Sequence, residues 1–235
     1  PDIYTAADRH FGGWRSAADQ TGGPAPESFA PLTAHQVVTM DEPVQDFSIV
    51  FTHLGPGVRT DTADTYAMDV LVAVLNHPAS QFQLQLVASG PFNYLDVEYR
   101  TLNDVGQITF SGKADVIRAR NAVTALVAAL DGPTLWRAIT DEDLEIVQKQ
   151  RALASALALE ETATLAPSLA YWWAVAGIDY YRTYHSHLSR QTADDIRRVV
   201  DRYIARRARV VGLLGPRATV ERIAAWLRQF APSPR

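Results

Sequence analysis

The segment Thr62–Gly112 constrains the fold most, because the spacing of its apolar residues changes from a helical to a strand period. Its first part has apolar residues at the i, i+3, i+4, i+7 and i+8 positions, namely Ala67, Val70, Leu71, Val74 and Leu75. This spacing predicts an amphipathic helix that packs its apolar stripe against a core. After Pro78, the run Gln81–Val87 predicts a second, shorter helix.

The second part of this segment predicts a hairpin. Apolar and charged residues alternate along Leu95–Arg100, which is typical of a strand with one buried face. The run Asn103–Gly106 has the composition of a turn, and Ile108 and Phe110 continue the alternation beyond it. The chain is therefore expected to return antiparallel, which makes the whole unit a helix, a short helix and a hairpin.

Two strands are predicted before this unit, over His35–Met40 and Phe47–His53, because both runs are rich in Val, Phe, Ile and Thr. After the hairpin the sequence predicts a helix over Ala119–Leu130 and a long helix capped at Thr140 and reaching about Thr164. Two further helices are predicted, one with Pro167 at its first position and one capped by Thr192 and Asp195. The last predicted elements are a strand over Val210–Leu214 that is buried on both faces and a helix over Val220–Phe230.

This order of elements predicts an α+β domain with an antiparallel or mixed sheet, in which helices pack on one face and the other face lies free for a partner. The start of the chain resembles the last turns of a helix, stopped by Gly12-Gly13. Residues 15–34 have the glycines and prolines of a linker. We therefore predict that residues 1–14 end a preceding domain and that residues 35–235 form the domain that follows the linker.

Composition excludes several classes of protein. The net charge is −4, and the basic residues are spread among acidic ones, so we expect no nucleic-acid partner. The chain has no cysteine, which excludes disulfides and thiolate metal sites and leaves both the periplasm and the cytoplasm open as compartments. No apolar run approaches the about 20 residues of a membrane-spanning helix, so we expect no membrane span.

Motifs for catalysis are absent from the sequence. Neither HExxH nor its reverse, HxxEH, occurs among the six histidines. The pair His185-x-His187 would point its rings about 200° apart on a helix, so two partly exposed histidines near a helix end are the favoured interpretation. A metal-dependent enzyme that uses both histidines and a remote carboxylate is the alternative. We interpret Glu160-Glu161 as a solvated helix face and Trp172-Trp173 as core, because adjacent helical residues diverge and aromatic stripes are usually buried.

Four stretches, taken together, resemble one family along nearly the whole chain: FGGW at Phe11–Trp14, TYAMDVLVAVLN at Thr65–Asn76, the YWWAVAGIDYY…VVDRYI run at Tyr171–Ile204, and VVGLLGP at Val210–Pro216. Their order is similar to that in the pitrilysin/insulinase-type zinc metallopeptidases and their processing-peptidase relatives. The resemblance implies the LuxS/MPP-like metallohydrolase fold. It also implies that this chain is the non-catalytic second domain of such a peptidase, preceded over residues 1–14 by the end of a homologous catalytic domain.

The partners that the resemblance implies are a sister domain or subunit that carries HxxEH and a peptide substrate enclosed between the two domains. Zinc is expected in the sister domain, and this chain is expected to hold no cofactor and to have no catalytic residue. The main hypothesis is a domain that closes the peptide chamber of a zinc metalloendopeptidase. The alternative is a proteolytically inactive structural assembly subunit of the same fold.

The resemblance also implies one substrate-binding residue. In active family members the second domain supplies an arginine and, seven residues later, a tyrosine that reach the substrate backbone. The matching positions of this chain are Val87 and Tyr94. Valine cannot donate a hydrogen bond, so only Tyr94 is expected to contact peptide. An ordinary strand tyrosine at a sheet edge is the competing interpretation.

Overall fold

A computed structural model of the chain describes residues 2–14, 32–158 and 162–229. The chain divides into two compact units, Pro1–Ala30 and Pro31–Arg235. In the first unit, helix α1 spans Asp2–Phe11, and every one of its residues is solvent-exposed. The amide of Gly12 donates to the carbonyl of Asp8 at 2.8 Å, so the helix stops at the predicted glycine pair.

The second unit is built on a five-stranded sheet with the order β1-β5-β2-β4-β3. The strands are β1 (Gln36–Asp41), β2 (Asp46–Gly55), β3 (Tyr94–Arg100), β4 (Gly106–Asp115) and β5 (Val210–Gly215). Strand β1 pairs in parallel with β5, and the other neighbouring strands are antiparallel. The predicted α+β class and the mixed sheet are confirmed.

Nine further helices are described around this sheet: α2 (Val58–Asn76), α3 (Gln81–Gln83), α4 (Ala119–Asp131), α5 (Thr134–Arg137), α6 (Asp141–Ala158), α7 (Thr162–Val175), α8 (Ile178–Leu188), α9 (Ala193–Val199) and α10 (Arg217–Leu227). Two π-helical turns, Leu84–Ala88 and Val200–Ile204, continue α3 and α9, and a 3₁₀ turn over Val116–Arg118 precedes α4. The predicted unit of helix, short helix and hairpin corresponds to α2, α3, β3 and β4.

Among the described residues of the unit Pro31–Arg235, helices cover one face of the sheet. Along β2, Phe47, Ile49 and Phe51 are fully buried in the same core cluster as the inner sides of α2, α4 and α10. The alternate residues of β2 face the other way, and Val50 is 37% exposed. On the same open face, Val38 and Met40 of the edge strand β1 are each more than half exposed. The predicted free face is therefore present, and it is partly apolar.

One predicted detail of the long helical stretch, the position of Pro167, needs correction. The cap at Thr140 is present, because its amide donates to Asp143 Oδ2 at 2.9 Å while the Asp143 amide donates to Thr140 Oγ1 at 3.3 Å. Helix α6 is described to Ala158 and α7 from Thr162, and the three residues between them lie outside the described part of the chain. Pro167 therefore lies inside α7 rather than at its first position. The turn before it is already helical, so the proline removes one backbone hydrogen bond without ending the helix.

The prediction that β5 is buried on both faces is wrong. Its residues alternate between buried and half-buried, with Val211 and Leu213 in the core and Val210 and Leu214 on the open face. The reason is that no described helix covers that face. Helix α10 also begins earlier than predicted, at Arg217 directly after Pro216, and it ends at Leu227, before the predicted end at Phe230.

Candidate functional site

Tyr94 is the first residue of β3, which is an edge strand of the sheet. Its side chain is 53% exposed, whereas its neighbour Leu95 is buried. Because successive residues of a strand point to opposite faces, Tyr94 lies on the open face. A tyrosine hydroxyl in this position can donate a hydrogen bond to a ligand that lies on the sheet.

Val87 lies in the π-helical turn Leu84–Ala88, close in sequence to Tyr94 but in a different environment. It is half-buried and packs against the hydrophobic core. Turns of this kind occur frequently at functional sites, which fits the expected position of a substrate-binding residue. The valine side chain itself offers neither a hydrogen bond nor a charge to a peptide.

Side-chain hydrogen bonds fix this turn relative to β3. Ser80 Oγ accepts from the Gln83 amide and donates to the Leu75 carbonyl, both at 3.2 Å, so it caps α3 and ties it to the end of α2. Gln83 Nε2 then donates to the carbonyls of Leu75 at 3.1 Å and Leu95 at 3.0 Å. The end of α2, the short helix α3 and the start of β3 are therefore held as one piece.

A polar network holds the residue before Tyr94. The Asn93 amide donates to the Lys113 carbonyl at 2.8 Å, and the Asn93 side chain donates to Asp115 Oδ1 at 2.8 Å. Arg118 donates to Asn93 Oδ1 at 2.8 Å and to Asp115 Oδ2 at 2.7 Å. Hydrogen bonds from Asn93 and Arg118 lower the pKa of Asp115, so its carboxylate stays negatively charged and bonded to these two side chains. The start of β3 is thus anchored to the end of β4.

Lys113 is the neighbour of Tyr94 that sequence reasoning missed. It lies directly opposite Tyr94 on β4, and opposite residues of an antiparallel pair project from the same face. The predicted hairpin contains both strands, but the pairing of Tyr94 with Lys113 follows only from the observed register, in which Tyr99 lies opposite Ile108. The register could be assigned only once the length of the turn was known.

The two histidines considered as metal ligands lie near the end of α8, as predicted, and both are exposed. The His187 ring stacks on Tyr66 at a centroid distance of 4.9 Å, whereas the His185 ring lies edge-on to Tyr184. They therefore contact different partners and are not brought together. Among the described residues, no group of three or more His, Asp or Glu is placed to hold a metal ion. Glu160-Glu161 lies outside the described residues.

An aromatic cluster surrounds a buried carboxylate where α2, α7 and α8 meet. Tyr180 stacks between Tyr66 at 5.0 Å and Trp172 at 5.3 Å, and Tyr184 donates its hydroxyl to Asp69 Oδ2 at 2.9 Å. Burial raises the pKa of Asp69 to about 6, against the opposing effects of the Arg151 charge and the Tyr184 hydrogen bond. The prediction of a tryptophan pair in the core is correct only for Trp172, which is half-buried, because Trp173 is 71% exposed.

A second buried polar group lies at one end of the sheet. His53 and Arg209 are each 1% exposed, and the β2–β5 pairing ends next to them, at Thr52 and Val210. Burial lowers the pKa of His53 well below its ordinary value, and the charges of Arg209 and His35 lower it further. Arg209 is paired with Asp131 at the end of α4. This group lies on the core side of the sheet, away from Tyr94.

The sequence model of the family described as the peptidase M16 inactive domain matches residues 2–151, which is more than half of the 235-residue chain. The chain belongs to this family. The resemblance to insulinase-type zinc metallopeptidases is therefore confirmed, and the chain is a non-catalytic, C-terminal type of M16 domain. No curated protein matches the chain.

Solved structures confirm the M16 fold. A protease from Helicobacter pylori superposes with a TM-score of 0.74 at 18% identity, covering 92% of this chain and 52% of its own. A putative M16-like peptidase from Alicyclobacillus acidocaldarius gives a TM-score of 0.61 at 19% identity, covering 77% of this chain and 43% of its own. The periplasmic protease PqqL from Escherichia coli gives 0.57 at 13% identity, covering 79% of this chain and 21% of its own.

The M16 inactive domain thus spans about half the length of the first two of these structures, or less. At these identities the likeness establishes the fold and not the activity. Within the described ranges 2–14, 32–158 and 162–229, no helix is long and apolar enough to cross a membrane.

Proposed function

We propose that this M16 inactive domain closes a peptide-binding chamber against a homologous sister domain that carries HxxEH. The observation that carries the proposal is the open face of the sheet, which has no described helix over it and exposes Tyr94 at its edge. The length of the relatives supports a second domain of similar size. In this arrangement residues 1–14 end the sister domain, residues 15–34 link the two, and residues 35–235 form the inactive half.

The chemistry of peptide cleavage belongs to the sister domain in this proposal. Two histidines and a more distant glutamate would hold Zn²⁺ there, and the glutamate of the motif would activate water. This chain contributes binding, because the Tyr94 hydroxyl can donate to a main-chain carbonyl of the peptide. The sequence of this chain contains neither of the zinc-binding motifs HExxH and HxxEH, so the isolated chain is expected not to hydrolyse peptides.

The test compares the 235-residue chain with the native, uncut protein, or with a mixture of the chain and an HxxEH-bearing partner. Zinc content and cleavage of an unstructured peptide are measured for each. We expect zinc and cleavage only when the HxxEH domain is present, and a loss of cleavage when Tyr94→Phe is introduced into the longer form. Zinc-dependent cleavage by the pure 235-residue chain would overturn the proposal.

A second candidate function is a structural assembly subunit of the same fold without proteolysis. Val87 favours it, because an apolar, half-buried residue at the position of the family arginine removes one expected peptide contact. The same measurement separates the two functions. If the longer protein or the mixture neither binds zinc nor cleaves peptide, the assembly role replaces the chamber-closing one.

A further inference from the structure

The open face of the sheet carries one continuous row of side chains across all five strands. The register of neighbouring strands aligns Tyr94 with Lys113, Lys113 with Ser48, Ser48 with Leu214, and Leu214 with Met40. Residues paired in this way share a face. The row therefore begins with three hydrogen-bonding side chains on β3, β4 and β2 and ends with two apolar ones on β5 and β1.

The donors at the polar end of the row are not used within the domain. Among the described residues, neither the Lys113 ammonium nor the Tyr94 hydroxyl has a hydrogen bond, and Lys113 has no ion-pair partner. The acidic residue two positions along β4, Asp115, is already bonded to Arg118 and Asn93. Ser48, on the other side of Lys113, is uncharged. Three donor hydrogens on lysine and one on tyrosine are therefore free to meet acceptors on a ligand.

The apolar end of the row is largely exposed to solvent. Met40 is 57% exposed, and Val38, two residues earlier on the same face of β1, is 61% exposed. Leu214 is half-buried beside them. Two neighbouring and largely exposed apolar side chains on a sheet face mark a surface that can bury an apolar group of a partner.

We propose that this row binds one peptide laid across the strands, with Lys113 and Tyr94 donating to its main-chain carbonyls and Met40 and Leu214 contacting an apolar side chain. The proposal rests on the peptide-binding function proposed above and adds a second donor and a side-chain preference to it. Lys113 is a binding residue here, and the Arg118, Asn93 and Asp115 network positions it and Tyr94 by fixing the start of β3 against β4.

The dimensions of the sheet set the length of peptide that can use both ends. Neighbouring strands lie about 4.8 Å apart, so β3 and β1 are separated by about 19 Å. An extended peptide advances about 3.4 Å per residue, so about six residues span the row. A shorter peptide can engage the donors or the apolar end, but not both.

The test measures binding of the 235-residue chain to two fluorescein-labelled peptides of eight residues by fluorescence anisotropy. Both carry the fluorescein on the N-terminal amine and are amidated at the C-terminus, and they are built from Ser, Thr and Gly, but only one contains leucines. The leucine peptide is expected to bind more tightly, and Met40→Ser is expected to reduce that difference. Equal binding of the two peptides would overturn the side-chain preference.

Lysine substitutions test the donor. Lys113→Met keeps the length of the side chain and removes its donors, so the leucine peptide should bind about two- to tenfold more weakly, as expected for a lost hydrogen bond. Lys113→Arg should retain most of the binding. Lys149→Met is the matched control, because Lys149 is the other of the two lysines and pairs with Glu145 on α6. It should leave the affinity unchanged.

The outcomes separate this inference from the proposed function. If Tyr94→Phe weakens binding and Lys113→Met does not, the role of Lys113 is overturned while Tyr94 keeps its role. If the wild-type chain binds neither peptide, the peptide-binding function of the isolated domain is itself overturned. Folding of each variant is checked by its circular dichroism spectrum, so that a loss of binding is assigned to the missing donor.

Discussion

Asp64 on α2 accepts a hydrogen bond from Arg198 Nε on α9 at 3.1 Å, although the Asp64 side chain is only 6% exposed. Arg202 Nη1 and the Tyr203 hydroxyl, in the π-helical turn after α9, each donate to the second carboxylate oxygen at 3.0 Å. One buried carboxylate therefore joins the two helices and accepts three hydrogen bonds. The two arginines are about half exposed, so water can solvate them if the carboxylate is removed.

Asp64→Ala should lower the free energy of unfolding by about 2–3 kcal/mol. This is less than the about 3–5 kcal/mol expected when a fully buried pair is broken, because both arginines can reach solvent. Urea denaturation measures the change. The control is Asp194→Ala, which removes an ion pair with Arg197 in which the aspartate is 89% exposed and should change stability by less than about 0.5 kcal/mol. Equal effects of the two substitutions would contradict the role of Asp64.

Asp69→Asn should remove part of the pH dependence of stability. The pKa of Asp69 is raised from 3.8 to about 6, so the folded state holds the proton more tightly than the unfolded state. The stabilisation that protonated Asp69 gives the folded state is therefore complete below about pH 4 and is lost as the pH rises through about 6. The loss amounts to about 3 kcal/mol at most. Thermal unfolding between pH 4 and 7.5 should show a flatter profile for the variant, and an unchanged profile would contradict the assignment.

His53→Phe should remove a pH dependence of the opposite sign. The pKa of His53 is lowered well below 6.5 by burial, by the charge of Arg209 and by His35, while a contact with the Tyr203 carbonyl opposes this. The unfolded state takes up a proton more readily, so stability is present above pH 6.5 and is lost as the pH falls below it. Because Asp69 titrates in an overlapping range, the comparison is made in the Asp69→Asn background. In the Asp69→Asn background, the protein that keeps His53 should lose more stability on acidification than the one that also carries His53→Phe.

Gly112→Ala should destabilise the domain, and Gly212→Ala should not. A Cβ at Gly112, on the core side of β4, would lie 2.5 Å from Phe92 Cε1, so the buried ring must move. Overpacking of this kind costs about 1–3 kcal/mol. At Gly212, on the open face of β5, the nearest atom would be Val50 Cβ at 3.8 Å, which is ordinary contact. Alanine there should raise the free energy of unfolding by about 0.5 kcal/mol, because it restricts the unfolded chain. Differential scanning calorimetry of both variants checks the pair.

The sequence predicted the sheet and most helices because their apolar residues repeat at a single clear period. It did not reveal that Asp69 is buried, since this residue lies on the side of α2 opposite the apolar stripe, or that Asp64, in line with that stripe, is a buried charged residue. Helices α6, α8 and α9 also pack on α2, so α2 is buried on several sides. The spacing of apolar residues identifies only one buried face of a helix. The predicted helix start at Pro167 is wrong for a related reason, because a proline marks a start only when the preceding turn is not already helical.

The candidate site was partly accessible from the sequence. The exposed position of Tyr94 fits the expected role, which itself stays a prediction, and it followed from a family resemblance. The pairing of Tyr94 with Lys113, and the row that continues to Met40, depend on the register of four pairs of strands. Register is set by turns and by packing of the whole sheet, so no local stretch of sequence contains it.

The strand order has a consequence for how the domain folds. Strand β5, the last in sequence, lies between β1 and β2, the first two. These early strands therefore have no hydrogen-bonding partner in each other and stay unpaired along one edge until β5 arrives. Such long-range pairing slows folding and leaves strand edges exposed to other chains meanwhile. Synthesis of this domain should therefore be vulnerable to aggregation until the residues of β5 have emerged from the ribosome.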